Sequence, residues 1–279
     1  GEKFPLGSFG HTGFTGNALW IDPFSKTFWI LLSNRVHPDG KGSVVALYKS
    51  LGTIAADAVT DFDFNYVPNE LPSEISAKEP APKDELSNDV PGVLNGIDVL
   101  QKEKFAALKG LKIGLITNHT GKNRKRYPTI DLLMNAPGVE LKALFAPEHG
   151  LYGMLDELVA DSVDERTGLP IYSLYGKNRF PTADQMRGLD ALVFDIQDVG
   201  CRFYTYVSTM GLSMEAAGLH GLKFFVLDRV NPIRGDIMDG PMLEGKTSFV
   251  GFHPMPLRYG MTIGELAQMF KAERKVPVD

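Results

Sequence analysis

Apolar residues along this chain follow two different patterns, and the change falls near residue 92. Within residues 4–64, Ala18 to Ile21 and Phe28 to Leu32 are β-rich runs, separated by the turn-forming Asp22-Pro23-Phe24-Ser25. Ser43 to Val59 then takes a helical period, with Val44, Leu47, Leu51 and Ile54 on one face. Two strands and a helix bury too little apolar surface to stand alone. This β-β-α block is expected to be docked on something else, or to be the tail of a domain whose remainder is missing. Residues 67–91 contain Pro68, Pro72, Pro80, Pro82 and Pro91, an acidic excess and no apolar period, and read as a linker.

From Gly92 strands and helices alternate. Ile97, Leu100, Phe105 and Leu108 predict a helix face stopped by Gly110. Strands are expected at Lys112 to Thr117, Leu141 to Phe145, Ala191 to Phe194 and Lys223 to Leu227. Helices are expected at Thr129 to Met134, from Thr182 to Arg187, and at Ser208 to Leu219. Thr262 opens a last helix, with Glu265 completing a capping box and Ile263, Leu266, Ala267 and Phe270 forming the apolar stripe. This alternation implies an α/β fold: a mostly parallel sheet with helices on both faces. The organisation read from the chain is 1–66, a linker at 67–91, and an α/β domain over 92–279.

Composition narrows the field by exclusion. Lys plus Arg is 29 and Asp plus Glu is 34, a net charge of −5, which gives no electrostatic ground for binding nucleic acid or an anionic membrane. Cys201 is the single cysteine, so no internal disulfide forms. No apolar stretch is long enough to cross a bilayer, and no secretory signal is visible. No His or Cys spacing supports a metal site, and no cofactor is implied. Oligomeric state is not readable.

Chemistry is expected beyond the carboxyl ends of the strands, where open parallel sheets bind ligands. The first strand ends in Thr117-Asn118-His119-Thr120-Gly121 and the second in Pro147-Glu148-His149-Gly150. The third ends in Asp195-Ile196-Gln197-Asp198, followed by Arg202, Tyr204 and Tyr206, and the fourth in Asp228-Arg229 and Asn231-Pro232. Convergent carboxylates, His, Arg and Tyr suit a polar ligand. For Asn118, Asp228 and Asn231, a turn or cap role is as good a reading as ligand contact. Asp195 is equally a cap or a partner of Arg202, and Tyr204 and Tyr206 are either core aromatics or a platform for a sugar ring. Gly240 to Thr247 fits the phosphate-loop pattern GxxxxGK[ST], but it lacks a good strand before it and a helix after it, and reads as a chance match.

Residues 92–270 resemble the exo-β-N-acetylmuramidase (NamZ-like) family. The resemblance is carried by GLITNHTG (114–121), LFAPEHG (144–150), SVDERTGLPIYSLYG (162–176), LVFDIQDVGCRFYTYVSTM (192–210), VLDRVNPI (226–233) and PLRYGMTIGELAQMF (256–270). It implies a Rossmann-like domain, the start of a smaller auxiliary α/β domain, and a family C-terminal part beyond Asp279. It also implies release of terminal N-acetylmuramic acid from non-reducing ends of peptidoglycan fragments in the cell envelope. On that basis Glu148 leads as catalytic residue, with Asp198 or Asp195 as a second carboxyl, unless the substrate's 2-acetamido group serves as internal nucleophile. Asn118, His149, Arg202, Tyr204, Tyr206, Asp228, Arg229 and Asn231 are the expected substrate contacts, Arg202 for the lactyl carboxylate. The loop Met154-Leu155-Asp156-Glu157-Leu158 is more apolar than the family's usual charged one.

Residues 1–66 resemble the C-terminal end of serine β-lactamase and penicillin-binding-protein-like hydrolases through FGHTGFTG (9–16), LWIDP (19–23) and LLSNRVHP (31–38). His11-Thr12-Gly13 stands where that family has Lys-Thr-Gly. No Ser-x-x-Lys nucleophile motif occurs in the chain, so this block is read as a remnant without acyl-transfer chemistry. The competing readings are a non-catalytic muropeptide- or sugar-binding module, and a serine hydrolase function at His11.

Overall fold

The computed structural model describes residues 8–13, 15–34, 44–62, 64, 92–151, 161–176 and 178–279. The expected linker at 67–91 and the apolar loop at 154–158 lie outside the described residues. The chain forms two compact units, Gly1–Glu85 and Leu86–Asp279.

In the first unit, strands β1 (Phe9–Thr12), β2 (Ala18–Asp22) and β3 (Thr27–Leu31) form an antiparallel meander, with helix α1 (Val45–Asp57) following. The Asp22 carboxylate closes the turn between β2 and β3. It accepts from Ser25 N at 3.1 Å and Ser25 Oγ at 2.5 Å, and ties in Ser8 Oγ at 2.9 Å. The block is therefore β-β-β-α: the sequence pattern missed β1, which is short and carries Gly10 between polar and aromatic neighbours.

The second unit is built on a six-stranded sheet in the order β6-β7-β5-β4-β8-β9. Its strands are β4 (Lys112–Thr117), β5 (Glu140–Ala146), β6 (Ser162–Val163), β7 (Pro170–Ser173), β8 (Ala191–Asp195) and β9 (Lys223–Val226). All neighbours run parallel except β6 and β7. Ile113 and Leu115 of β4 and Ala191 and Val193 of β8 face α2 (Gly96–Lys102) and α3 (Thr129–Met134). Ile116, Leu192 and Phe194 face the opposite core, filled from α4 (Tyr206–Leu219) and α5 (Ile263–Glu273) by Val207, Met210, Leu266 and Phe270. Covering both faces makes the strands apolar at nearly every position, which is why they stood out in the sequence.

Three details differ from the periodicity. The helix expected through Leu108 stops at Lys102: Lys104 turns to φ 54° and the Phe105 amide bonds back to Leu100 O at 2.8 Å, a Schellman-type stop without glycine. A 3₁₀ turn at Ala106–Leu108 then delivers Leu108 to the core. Thr182 to Arg187 begins as a helix would, with Thr182 and Gln185 bonded reciprocally, but Gly188 at φ 78° ends it after one turn. Strands β6 and β7 were not foreseen. β7 is four residues long, opens on a proline, and is mostly only half-buried. The Thr262–Glu265 capping box of α5 forms as expected, with Thr262 N to Glu265 Oε2 at 2.8 Å.

Gly240 to Thr247 begins within β10 (Asp239–Met242), which pairs antiparallel with β11 (Pro256–Arg258). No helix follows until Ile263, so the strand–loop–helix cradle of a phosphate loop is not formed.

Candidate active site

Five of the strands, β7-β5-β4-β8-β9, follow the doubly wound order, and the chain reverses direction across the sheet at β4. The crevice of such a sheet opens at the carboxyl ends of β4 and β8. Residues from the ends of β4, β5 and β8 meet there, and three structural locks fix them.

The first lock is Asp195, fully buried at the end of β8. Its Oδ1 accepts from Arg229 Nε at 2.6 Å and its Oδ2 from Thr129 Oγ1 at 2.5 Å. Its backbone oxygen accepts from Thr117 Oγ1 at 2.8 Å. Gly121 permits this approach, since a Cβ there would come within 2.2 Å of Thr117 Oγ1. Both Asp195 oxygens are occupied away from solvent, so this carboxylate joins strand ends rather than meeting a substrate. Its partner is Arg229, not Arg202. Arg229 also donates Nη2 to Lys122 O at 2.9 Å, and its side chain is buried.

The second lock is Asp228. It accepts from Gly264 N at 2.7 Å and Thr262 Oγ1 at 2.9 Å, pinning the start of α5 to the end of β9. The third is Asn231, which donates to Met261 O at 2.9 Å, accepts from Ile233 N at 3.1 Å, and packs on Gly200. Arg202 donates Nη1 to Pro241 O at 2.9 Å and Met255 O at 2.5 Å, holding the β10–β11 hairpin. Asp228, Arg229 and Asn231 therefore serve the scaffold, and Arg202 commits its guanidinium to main-chain carbonyls. Asn118 shapes its own turn by accepting from Thr120 N at 2.9 Å and Thr120 Oγ1 at 2.5 Å. The Asn118 Nδ2 is buried without a hydrogen-bond partner among the described residues.

Glu148 is presented differently. It sits in a turn closed by Gly150 N to Pro147 O at 3.0 Å. His149, the next residue, holds φ 69°, in the left-handed region where glycine is the usual occupant. Backbone strain of this kind persists where surrounding structure imposes it, and functional sites are its common setting. The half-buried Glu148 carboxylate accepts from Thr205 Oγ1 at 2.5 Å and acts electrostatically on the Tyr175 phenol. Burial, then Glu148 itself, pushes the Tyr175 phenol above its ordinary value. His119 is held below the usual imidazole range by burial, with Lys122 and His149 adding to it.

Asp198 lies deeper, 4% exposed. Its Oδ2 accepts from Gly200 N at 2.7 Å and from the Tyr259 hydroxyl. Its Oδ1 is buried without a hydrogen-bond partner among the described residues. Burial raises this carboxyl to about 6, against the pull of Tyr259 and the backbone amides. Tyr204 stands within the field of both carboxylates: burial, Asp198 and Glu148 all raise its phenol. Tyr206 meets Tyr204 edge-on at 5.0 Å, yet is buried in the core at the start of α4, and only Tyr204 remains half-open. Tyr175, Thr205 and Tyr259 were absent from the expected site. Each lies inside a segment that carries the family resemblance, and their role becomes visible only through contact with Glu148 or Asp198.

A doubly wound α/β domain with two carboxylates and a cluster of tyrosines at its switch-point crevice is thus the class defined by fold and site. Residues 113–279 match the family described as exo-beta-N-acetylmuramidase NamZ, N-terminal, and the chain belongs to that family. It is 49% identical over 192 residues to the peptidoglycan beta-N-acetylmuramidase NamZ of Bacillus subtilis (strain 168), a match covering 68% of this chain and 46% of that protein. The crystal structure of a DUF1343 family protein from Bacteroides fragilis NCTC 9343 superposes with a TM-score of 0.62 at 48% identity, covering 66% of this chain and 47% of the other. A second DUF1343 family protein of that strain gives 0.57 at 39% identity, over 67% and 49%. The chain therefore spans about half the length of the relatives it matches.

Proposed function

We propose that this chain carries the catalytic crevice of a glycoside hydrolase releasing terminal N-acetylmuramic acid from the non-reducing ends of peptidoglycan fragments, in cell-wall turnover. The observation that carries this reading is Glu148: a half-buried carboxyl on a strained turn, held by Thr205 and close to Tyr175 at the carboxyl end of β5. A carboxyl held in one orientation and open to the crevice suits general acid–base work on a glycosidic oxygen. In the first step Glu148 gives its proton to the departing oxygen as the C1–O bond breaks. In the second, the carboxylate takes a proton from water as that water attacks C1.

The buried, doubly bonded position of Asp198 favours the substrate's 2-acetamido oxygen over a protein carboxylate as the group that closes on C1 between these steps. Asp198 then acts from behind, holding negative charge beside Tyr204. The auxiliary-domain reading of the segment after β9, and an envelope location, periplasmic or extracellular, belong to the same proposal.

For the first unit, the proposal is a C-terminal remnant of a β-lactamase-like hydrolase. Support comes from the antiparallel meander followed by a helix, with His11 and Thr12 on its first strand. A fluorescent β-lactam is expected not to label the chain.

The decisive experiment is release of free N-acetylmuramic acid from a muramyl-capped chromogenic glycoside. Release by the wild-type chain, lost in Glu148→Gln, supports the hydrolase. Tight binding of the muramyl sugar without release by wild-type protein would instead make this a sugar-binding module.

A further inference from the structure

We propose that Arg179 and the cavity it borders form a carboxylate subsite that reads the free lactyl group of the terminal sugar, an inference that rests on the muramidase reading above. The argument begins with a tight turn. Ser248 and Gly251 exchange backbone hydrogen bonds at 2.9 and 3.1 Å, and Phe249 projects between them. The next aromatic, Phe252, anchors the turn. It packs on Gly211 of α4, where an added Cβ would approach its ring to 2.1 Å, and meets Phe270 edge-on at 5.0 Å.

Phe249 is thereby fixed as a platform, and the Arg179 guanidinium carbon lies 4.2 Å from its ring centre. Stacking on an aromatic face restrains a side chain that otherwise loses considerable freedom on binding. Beside them is a cavity of about 460 Å³, bordered by Asn178, Leu212, Ser248 and Arg274 as well.

The two guanidinium groups of this cavity are not equivalent. Arg274 is paired with Glu215, Nε to Oε1 at 2.8 Å, and stacks on Phe252 at 4.1 Å. Arg179 has no carboxylate partner among the described residues. It is the cation that remains available to a ligand anion.

Its place relative to the chemistry follows from Tyr175. The Tyr175 ring lies 6.4 Å from that of Phe249, centre to centre. Its hydroxyl lies within the fields of both Glu148 and Arg179. One phenol therefore stands near both the Glu148 carboxyl and a guanidinium with no carboxylate partner among the described residues. A sugar with its glycosidic oxygen at Glu148 and a carboxylate on the substituent two ring carbons from C1 carries a group for each. N-acetylmuramic acid has that pattern, through the lactyl ether on O3, and N-acetylglucosamine does not. Arg202, whose Nη1 is spent on two carbonyls, is less suited to this task. Because a stem peptide converts the lactyl carboxylate to an amide, the subsite selects peptide-free ends.

The test is direct binding to the full 279-residue chain, by calorimetry, of N-acetylmuramic acid, its lactyl methylamide and N-acetylglucosamine. The wild-type chain is expected to bind the acid about 10- to 100-fold tighter than either neutral sugar, the range for a charge-assisted bidentate contact. Arg179→Gln is expected to erase that preference while leaving affinity for N-acetylglucosamine unchanged, and Arg179→Lys to restore part of it. Arg179 is exposed, so neither substitution threatens the fold. Equal binding of the three sugars by wild-type protein overturns the inference, as does discrimination that survives in Arg179→Gln. If discrimination depends on Arg179 but the wild-type chain releases no sugar, the subsite stands and the hydrolase reading falls.

Discussion

Thr205 donates its hydroxyl to Glu148 at 2.5 Å, and this bond ties the turn after β5 to the residue that precedes α4. It links two segments 57 positions apart in sequence. A hydroxyl bonded to a carboxylate fixes which lone pairs face the crevice. Thr205→Val keeps the shape and removes the donor. With a hydrogen bond to a charged group contributing about 1.5–3 kcal/mol, kcat is expected to fall by roughly 10- to 100-fold. KM should change little and Thr205→Ser should recover most of the loss. An unchanged kcat in Thr205→Val would detach this bond from catalysis.

Asp195 and Glu148 were both candidates for acid–base work, and the geometry separates them. Arg229 and Asp195 are 5% and 0% exposed and joined at 2.6 Å. Removing one member of a buried pair leaves the other charged and unpaired, at a cost of about 3–5 kcal/mol. Arg229→Ala is therefore expected to lower the urea midpoint strongly. Asp195→Asn is expected to destabilise as well, yet to retain glycosidase activity within about tenfold at a temperature where it is folded, because both carboxylate oxygens are engaged by Arg229 and Thr129 inside the fold. Loss of activity in folded Asp195→Asn equal to that of Glu148→Gln would return Asp195 to the chemistry.

The strands that frame the site were legible because burial on two faces makes each of them apolar almost throughout, as in Ala191-Leu192-Val193-Phe194. The polar residues after them were legible as a rim, but not as individuals. Asp195 precedes both Arg202 and Arg229, and nothing in spacing tells which guanidinium turns inward; the fold of the loop after β9 decides it. Asp228 could not be recognised as the anchor of α5, since Gly264 lies 36 residues on. Glu148 stood out as a candidate from strand position, constrained neighbours and family resemblance together. Its partners Thr205 and Tyr175 did not, because a hydroxyl in a loop has no sequence signal until the loop is placed.

Asp198 gives the site a pH dependence of stability with a defined sign. Its carboxyl is raised from 3.8 to about 6 in the folded chain, chiefly by burial. Between those values the folded state binds the proton more tightly than the unfolded state, so stability is lost as pH rises from about 4 to about 6 and levels off above that. At about 1.4 kcal/mol per pH unit, the loss amounts to about 3 kcal/mol. Asp198→Asn is neutral at every pH and keeps an acceptor for Gly200 N. Its stability relative to wild type is expected to increase across pH 4–6 and then remain constant, as read by urea denaturation at a series of pH values. A constant difference from pH 4 to pH 8 would show that Asp198 titrates as it does in the unfolded chain.

Tyr259 provides the complementary test, because its hydroxyl is what holds the Asp198 carboxyl from rising further. Tyr259→Phe removes that donor from Oδ2 and leaves Gly200 N in place. The Asp198 carboxyl is then expected to titrate above 6, shifting the window of pH-dependent stability upward. If ionised Asp198 assists the reaction from behind Tyr204, the acid limb of the kcat profile should move upward by the same amount, while KM for the muramyl glycoside stays close to wild type. A purely structural Tyr259 would lower the denaturation midpoint without moving either titration. The decisive measurements are therefore the carboxyl titration followed by NMR and the kcat profile over pH 5–8, made on the same variant.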